Sequence, residues 1–258
     1  MSAIPSGLNS HCRVEWAGRR PFGSGQTTRR AVSGAHRISR ASNGLVGCLL
    51  AGLASLLPAA LAFPALANSP RDTELHFRVL LDGKPIGEHR FEFRRDGDTN
   101  EVLSRAEFNL RLMFLELYRY QHTDTERWRD GCLVSLDSHT DDNGRIERVD
   151  ARRHGQEFVV AASNRQIRYP GCVRSFAYWD PALLETDHLL NAQTGEYLPV
   201  RVQALGTERF AVEGREEVAE RYRLTAKDLD VTLWYTRDRQ WVALESRVGG
   251  RLLRYERR

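Results

Sequence analysis

The sequence predicts an all-β protein: a single antiparallel β-barrel or curled half-barrel of about a dozen strands, with one short helix near 181–185. Three observations predict it. From residue 75 onward, apolar side chains alternate with charged ones at period two, the pattern of a strand with one dry and one wet face. Turn pairs such as Asp82-Gly83, Gly97-Asp98 and Asn143-Gly144 interrupt that alternation at short intervals. Helical spacing is almost absent, and no unit of roughly 20–50 residues repeats, so neither propeller nor solenoid is supported.

The elements follow in order. Leu75, Phe77, Val79 and Leu81 alternate with Glu74, His76, Arg78 and Asp82, with Leu80 as the exception. Asp82-Gly83-Lys84-Pro85 turns the chain. Phe91 and Phe93 then alternate with Arg90, Glu92 and Arg94. Asp96-Gly97-Asp98 turns it again. Residues 105–122 read as one long strand with Phe108, Leu110, Leu112, Tyr118 and Tyr120 on its dry face. The phase slip at Phe114-Leu115 predicts a bulge or bend in it. Phe77, Val79, Phe91 and Phe93 are expected to face the same interior.

Cys132, Val134 and Leu136 mark the next strand, and Asn143-Gly144 is the strongest short hairpin signal in the chain. Ile146, Val149 and Phe158 to Ala161 continue the strands. Residues 170–190 break the pattern, and Asp180-Pro181 is a helix start. Strands resume at 197–205, 208–213, 217–226, 229–236, 240–248 and 251–257.

The first 67 residues have the order of a secretory signal. Seven arginines and one acid precede an apolar run from Leu45 to Leu66, and Ala65-Leu66-Ala67 places small residues before a cleavage site. This predicts a signal peptide over 1–67 with a long basic n-region, cleavage before Asn68, and one β domain over 68–258 that is periplasmic or secreted. Membrane contact is then confined to the uncleaved signal. Arg19-Arg20 and Arg29-Arg30 leave a twin-arginine route open, and the start codon is open as well. Leu45-Val46-Gly47-Cys48 spells a lipobox, but the apolar run continues past it, so Cys48 reads as part of that run.

Charge changes character at the same boundary. The whole chain is +4, but residues 68–258 carry 31 basic and 33 acidic residues and are net negative. The basic balance belongs to the targeting segment and excludes no-frills electrostatic binding of nucleic acid as a reading. Cys132 and Cys172 remain after cleavage. A cysteine pair in an oxidising compartment predicts a disulfide, two separate buried thiols being the alternative.

Candidate chemistry is sparse. His122 and Asp124 share a strand face, as a base and its orienter need, yet no serine or cysteine stands in a nucleophile context. Asp141-Asp142 beside Asn143-Gly144 reads as a turn. The motifs HExxH, GxGxxG and the P-loop do not occur, and no Cys/His spacing implies zinc. The reading therefore has no catalytic residue, metal or cofactor. Twenty aromatics follow Ala67. Tyr118, Tyr120, Tyr178, Trp179, Trp234 and Tyr235 are candidates for the wall of an apolar ligand cavity, or for an ordinary β core.

Leu81-Asp82-Gly83-Lys84-Pro85-Ile86-Gly87-Glu88-His89-Arg90-Phe91, Trp128 with Gly131-Cys132-Leu133, and Cys172 with Phe176-Ala177-Tyr178-Trp179 together resemble a secreted bacterial family, domain of unknown function 6134. The first motif is similar to a broader set of exported β-proteins that open with such a hairpin. The resemblance implies an exported β-rich fold, nothing catalytic, and no site residues.

Three functions fit the sequence. The first is non-enzymatic binding or carriage of an apolar or amphiphilic molecule or lipid in the cell envelope. The second is a structural or assembly factor that binds other envelope proteins. The third is a hydrolase using His122 and Asp124. A continuous cavity favours the first, a filled interior with an exposed apolar patch the second, and a cleft holding His122, Asp124 and a hydroxyl the third.

Overall fold

A computed structural model describes residues 74–112, 115–212 and 215–258. The signal peptide expected over 1–67, with its cleavage before Asn68, lies outside the described residues. The strands are β1 (Glu74–Leu81), β2 (Lys84–Asp96), β3 (Thr99–Leu112), β4 (Leu115–Arg129), β5 (Cys132–Asp142), β6 (Arg145–His154), β7 (Glu157–Ala162), β8 (Arg165–Pro170), β9 (His188–Leu190), β10 (Tyr197–Pro199), β11 (Arg201–Val212), β12 (Arg215–Ala226), β13 (Leu229–Thr236), β14 (Trp241–Val248) and β15 (Arg251–Arg257). The expected helix is a five-residue 3-10 turn, Pro181–Glu185. The Asp180 carboxylate accepts from the Ala182 N–H there, and Pro181 opens the turn.

Thirteen strands form one sheet in the order β11-β12-β13-β14-β15-β1-β2-β3-β4-β5-β6-β7-β8, every neighbouring pair antiparallel. β9 and β10 pair separately. β8 and β11 are the two edges of the large sheet and do not pair, so the barrel is curled and open. The curl is measurable. Phe108 on β3 and Tyr255 on β15 stand three strands apart, about 14 Å in a flat sheet, yet their ring centroids are 6.2 Å apart.

Turn chemistry sets the hairpins. Asn143 and Gly144 both have positive φ, 54° and 92°, and Asp142 pairs with Arg145 across them. That is the twist-matched two-residue turn an Asn-Gly pair favours. Asp141 caps it by accepting from the Gly144 N–H at 2.7 Å.

The expected single strand over 105–122 is two strands. Leu112 pairs with Leu115, so the chain reverses where the alternation slips. The register also shifts beside Leu110, where Leu110 faces Tyr118 and Arg111 faces Glu116, leaving Leu117 as the extra residue. A tight reversal and a bulge both shift the phase of an alternating sequence, so the slip alone did not tell them apart. The apolar phase survives the correction. Phe77, Val79, Phe91, Phe108, Tyr118 and Tyr120 are buried in one core, with Phe93 and Leu110 half-buried against it. The expected strands 197–205 and 208–213 reorganise as β10 and a continuous β11, bulged between Ala204 and Gly206.

Residues 171–200 leave the sheet and fill its concave face. Val173, Phe176, Tyr178, Leu183, Leu189, Leu190 and Ala192 are all buried in the common core. Burial of each large apolar side chain contributes about 1.5–3 kcal/mol. The segment is also tied by hydrogen bonds. The Leu133 N–H donates to the Val173 carbonyl at 2.9 Å, Tyr235 Oη donates to the Tyr178 carbonyl at 2.8 Å, and Ser138 Oγ donates to the Ala192 carbonyl. Cys132 and Cys172 form the expected disulfide, with Cα atoms 5.2 Å apart, at the root of this segment.

The outer face of β2–β4 is charged. Arg94 pairs with Glu92, Arg105 with Glu92, and Arg127 with Glu101. A membrane barrel needs an apolar band there instead. Among the described residues, no helix is long and apolar enough to cross a membrane.

Candidate functional site

The inward positions of β4 run Tyr118, Tyr120, His122, Asp124, Glu126 and Trp128, and all six are buried. Period two puts them there: the apolar phase of the strand simply continues into titratable residues. Their partners come from neighbouring strands and the inner segment. Tyr118 Oη donates to Asp142 on β5. Tyr120 Oη donates to Gln193 Oε1 at 3.1 Å. His122 bridges Thr140 Oγ1 at 2.7 Å through Nδ1 and Asp124 Oδ2 at 2.8 Å through Nε2. Trp128 Nε1 donates to Glu126 Oε2 at 3.1 Å. On the next two strands, His89 Nε2 of β2 meets Ser104 Oγ of β3 at 2.9 Å.

Burial dominates the electrostatics of this row. Together with the nearby Asp124 carboxylate, it pushes the Glu126 carboxyl up to about 7. Burial holds the His89 imidazole well below the usual histidine range, with His122 adding to the effect. The Tyr118 and Tyr120 phenols are raised, chiefly by burial and for Tyr118 next by its bond to Asp142, so both stay protonated and donate.

Thr140, His122 and Asp124 thus form a hydroxyl–imidazole–carboxylate chain of the kind acyl-transfer enzymes use. The sequence pointed to His122 and Asp124 but not to Thr140, which stands opposite His122 on β5. The His122 and Asp124 side chains are 0% exposed and Thr140 is likewise buried. The chain therefore sits in the packed interior, not in a cleft. Among the described residues, no group of three or more His, Cys, Asp or Glu side chains could hold a metal ion.

The aromatic candidates divide. Tyr118, Tyr120 and Tyr178 converge on the core, where residues 171–200 occupy the space a ligand would need. Tyr235 lies there too, its ring 6.1 Å from that of Tyr222. Trp179 is half-buried, edge-on to Phe93 at 5.3 Å and to Trp128 at 5.5 Å. Trp234 is on the other face. It packs with Ala219, Val242 and Ala243, and its Nε1–H donates to Glu208 at 3.1 Å. Adjacent residues of a strand point to opposite faces, so Trp234 and Tyr235 cannot both face inward.

One concave space lies at the open edge. A cavity of about 170 Å³ separates β8 from residues 194–198. Its floor is Val160 and Ala162 on β7, and its walls are Ile167 and Tyr169 on β8 with Tyr197 and Leu198 opposite. The Tyr169 and Tyr197 rings are 4.8 Å apart. Gly195, at φ +71°, presses on the floor: a Cβ there would stand 2.6 Å from the Ala162 Cβ. Arg165 and Glu196 are at the mouth. Sequence reasoning missed this site, because its two walls are about thirty residues apart and meet only through the fold.

Comparison with known proteins gives the fold a relative but no activity. No curated protein matches the chain. Among solved structures, it is similar to a β-barrel-like protein of domain of unknown function DUF1849 from Brucella abortus. Identity is 11%, the TM-score is 0.54, and the match covers 72% of this chain and 94% of that one. At such identity the likeness is one of fold. The family model of Domain of unknown function (DUF6134) matches residues 77–258, β1 through β15, and the chain belongs to that family.

Proposed function

We propose that this chain is an exported β-protein that binds the apolar part of a small amphiphile in the cell envelope, at the cleft between β8 and residues 194–198. The observation that carries this reading is the cleft itself: an apolar floor and paired tyrosines at the unclosed edge of the sheet. The filled interior turns the sequence-based expectation of a ligand among Tyr118, Tyr120 and Tyr178 toward this edge. Export is read from residues 1–67 and accords with the Cys132–Cys172 disulfide.

Titration with the neutral fluorophore N-phenyl-1-naphthylamine tests the binding. A saturable rise in emission is expected in the wild type and in Trp234→Phe, and its loss in Ile167→Glu. No saturable rise in the wild type, or an unchanged one in Ile167→Glu, rejects the site. N-terminal sequencing of the protein from fractionated cells tests export, a start within two residues of Asn68 being the expected result.

A further inference from the structure

The cleft has an apolar floor, and charged side chains line it as well. On the inward face of β8, Arg165 pairs with Ala162, one step beyond the Ile167–Val160 pair. That register places the guanidinium on the rim above the apolar floor. Its strand neighbour Arg168 is matched by Glu157 at 3.0 Å. Arg165 has no hydrogen-bond or ion-pair partner among the described residues. The acidic group across the mouth, Glu196, is engaged elsewhere: its carboxylate meets Lys227 at 3.9 Å and the Thr194 hydroxyl at 3.5 Å. The rim therefore offers one uncommitted positive charge with five N–H donors, a geometry suited to a carboxylate.

The volume limits what lies below that charge. A cavity of about 150 Å³ lined by aliphatic and aromatic side chains accepts benzene, and this one measures about 170 Å³. It holds a ring or a short alkyl chain, not a whole long acyl chain. We infer that the cleft selects small anionic amphiphiles, a carboxylate joined to a short apolar chain or ring, with Arg165 binding the head and the Ile167–Tyr169–Tyr197 walls the tail. This rests on the binding reading above and adds the sign of the ligand's charge.

Calorimetric titration of the folded protein with octanoate, 1-octanol and octylamine, which share one tail length and differ in head charge, tests it. In the wild type, octanoate should bind about tenfold more tightly than octanol and octylamine most weakly. A charge-assisted hydrogen bond commonly supplies that factor. Arg165→Gln, on an exposed side chain, should bring octanoate down to the affinity of octanol while leaving octanol unchanged. Equal binding of octanoate and octanol by the wild type, a preference for octylamine, or an octanoate preference that survives Arg165→Gln overturns the anion selectivity and leaves the apolar cleft standing. Failure of all three to bind overturns both.

Discussion

Tyr120 donates its hydroxyl proton to Gln193 Oε1 at 3.1 Å, and so joins the middle of β4 to the segment that fills the half-barrel, across 73 positions of chain. The bond is buried, so its loss is felt in the packing as well as in the pairing. Tyr120→Phe should destabilise the fold by about 1 kcal/mol, and Tyr120→Ala by about 3–5 kcal/mol. Urea unfolding measures both. Binding of the neutral fluorophore should be unchanged in the Phe variant. A loss of binding in that variant without a loss of stability would return the ligand to the interior.

The disulfide closes a loop of sequence separation 40. In the chain-entropy account, removing it should cost about 4 kcal/mol. The double variant Cys132→Ala, Cys172→Ala should unfold at correspondingly lower urea. Because Cys172 precedes Val173 and the buried run that follows, protease should then cut first within residues 171–200. Mass mapping of the early fragments checks this.

Glu126 sets one limb of the pH dependence. Its carboxyl titrates near 7 in the fold against an ordinary 4.5. A raised acid favours its protonated form, so its contribution is complete below pH 4.5 and is lost as pH rises through 7. Glu126→Gln keeps the shape without the charge. Its stability advantage over the wild type should grow between pH 4.5 and 7, reach on the order of 3 kcal/mol, and stay level above. Unfolding midpoints across that range measure it. An advantage constant with pH would contradict the assignment.

His89 acts in the opposite direction. Its imidazole is held below the ordinary value of 6.5, chiefly by burial. A depressed base favours its neutral form, so stability is present above pH 6.5 and is lost as pH falls below it. His89→Gln should therefore flatten the acid limb, and the double variant with Glu126→Gln should show the least pH dependence of the set.

At the β5–β6 hairpin, a Cβ on Gly144 meets no atom within 4 Å, so only the backbone at φ +92° opposes a side chain. Gly144→Ala should cost about 1–2 kcal/mol, and Gly144→Asn less, since Asn tolerates that region. Thermal melts of the two variants check the order.

The strands were legible because one property, alternation, is local. Phe77, Phe91 and Phe108 announce their face through their own neighbours in sequence. The reversal between Leu112 and Leu115 was not legible, because without a Gly or Asn to announce it a reversal leaves only a phase slip in the sequence. Trp234 was misplaced by judging aromatic character ahead of phase. The row His122, Asp124, Glu126 continued the phase of Tyr118 and Tyr120 and was readable as inward, but charge argued for the outside face and hid it. Partners such as Thr140 and Gln193, and the cleft around Arg165, depend on strand order and on where the inner segment lies. No single-strand pattern encodes either.

The first and last strands lie side by side in the middle of the sheet, with Phe77 opposite Arg257 and the Arg258 N–H donating to the His76 carbonyl. A chain made or threaded from its N-terminus can build the β2–β8 meander early. Its two halves join only once β15 is available to pair with both β1 and β14. Until then β1 and β14 each present an unpaired edge. Loss of β15 would remove a central strand rather than trim an edge.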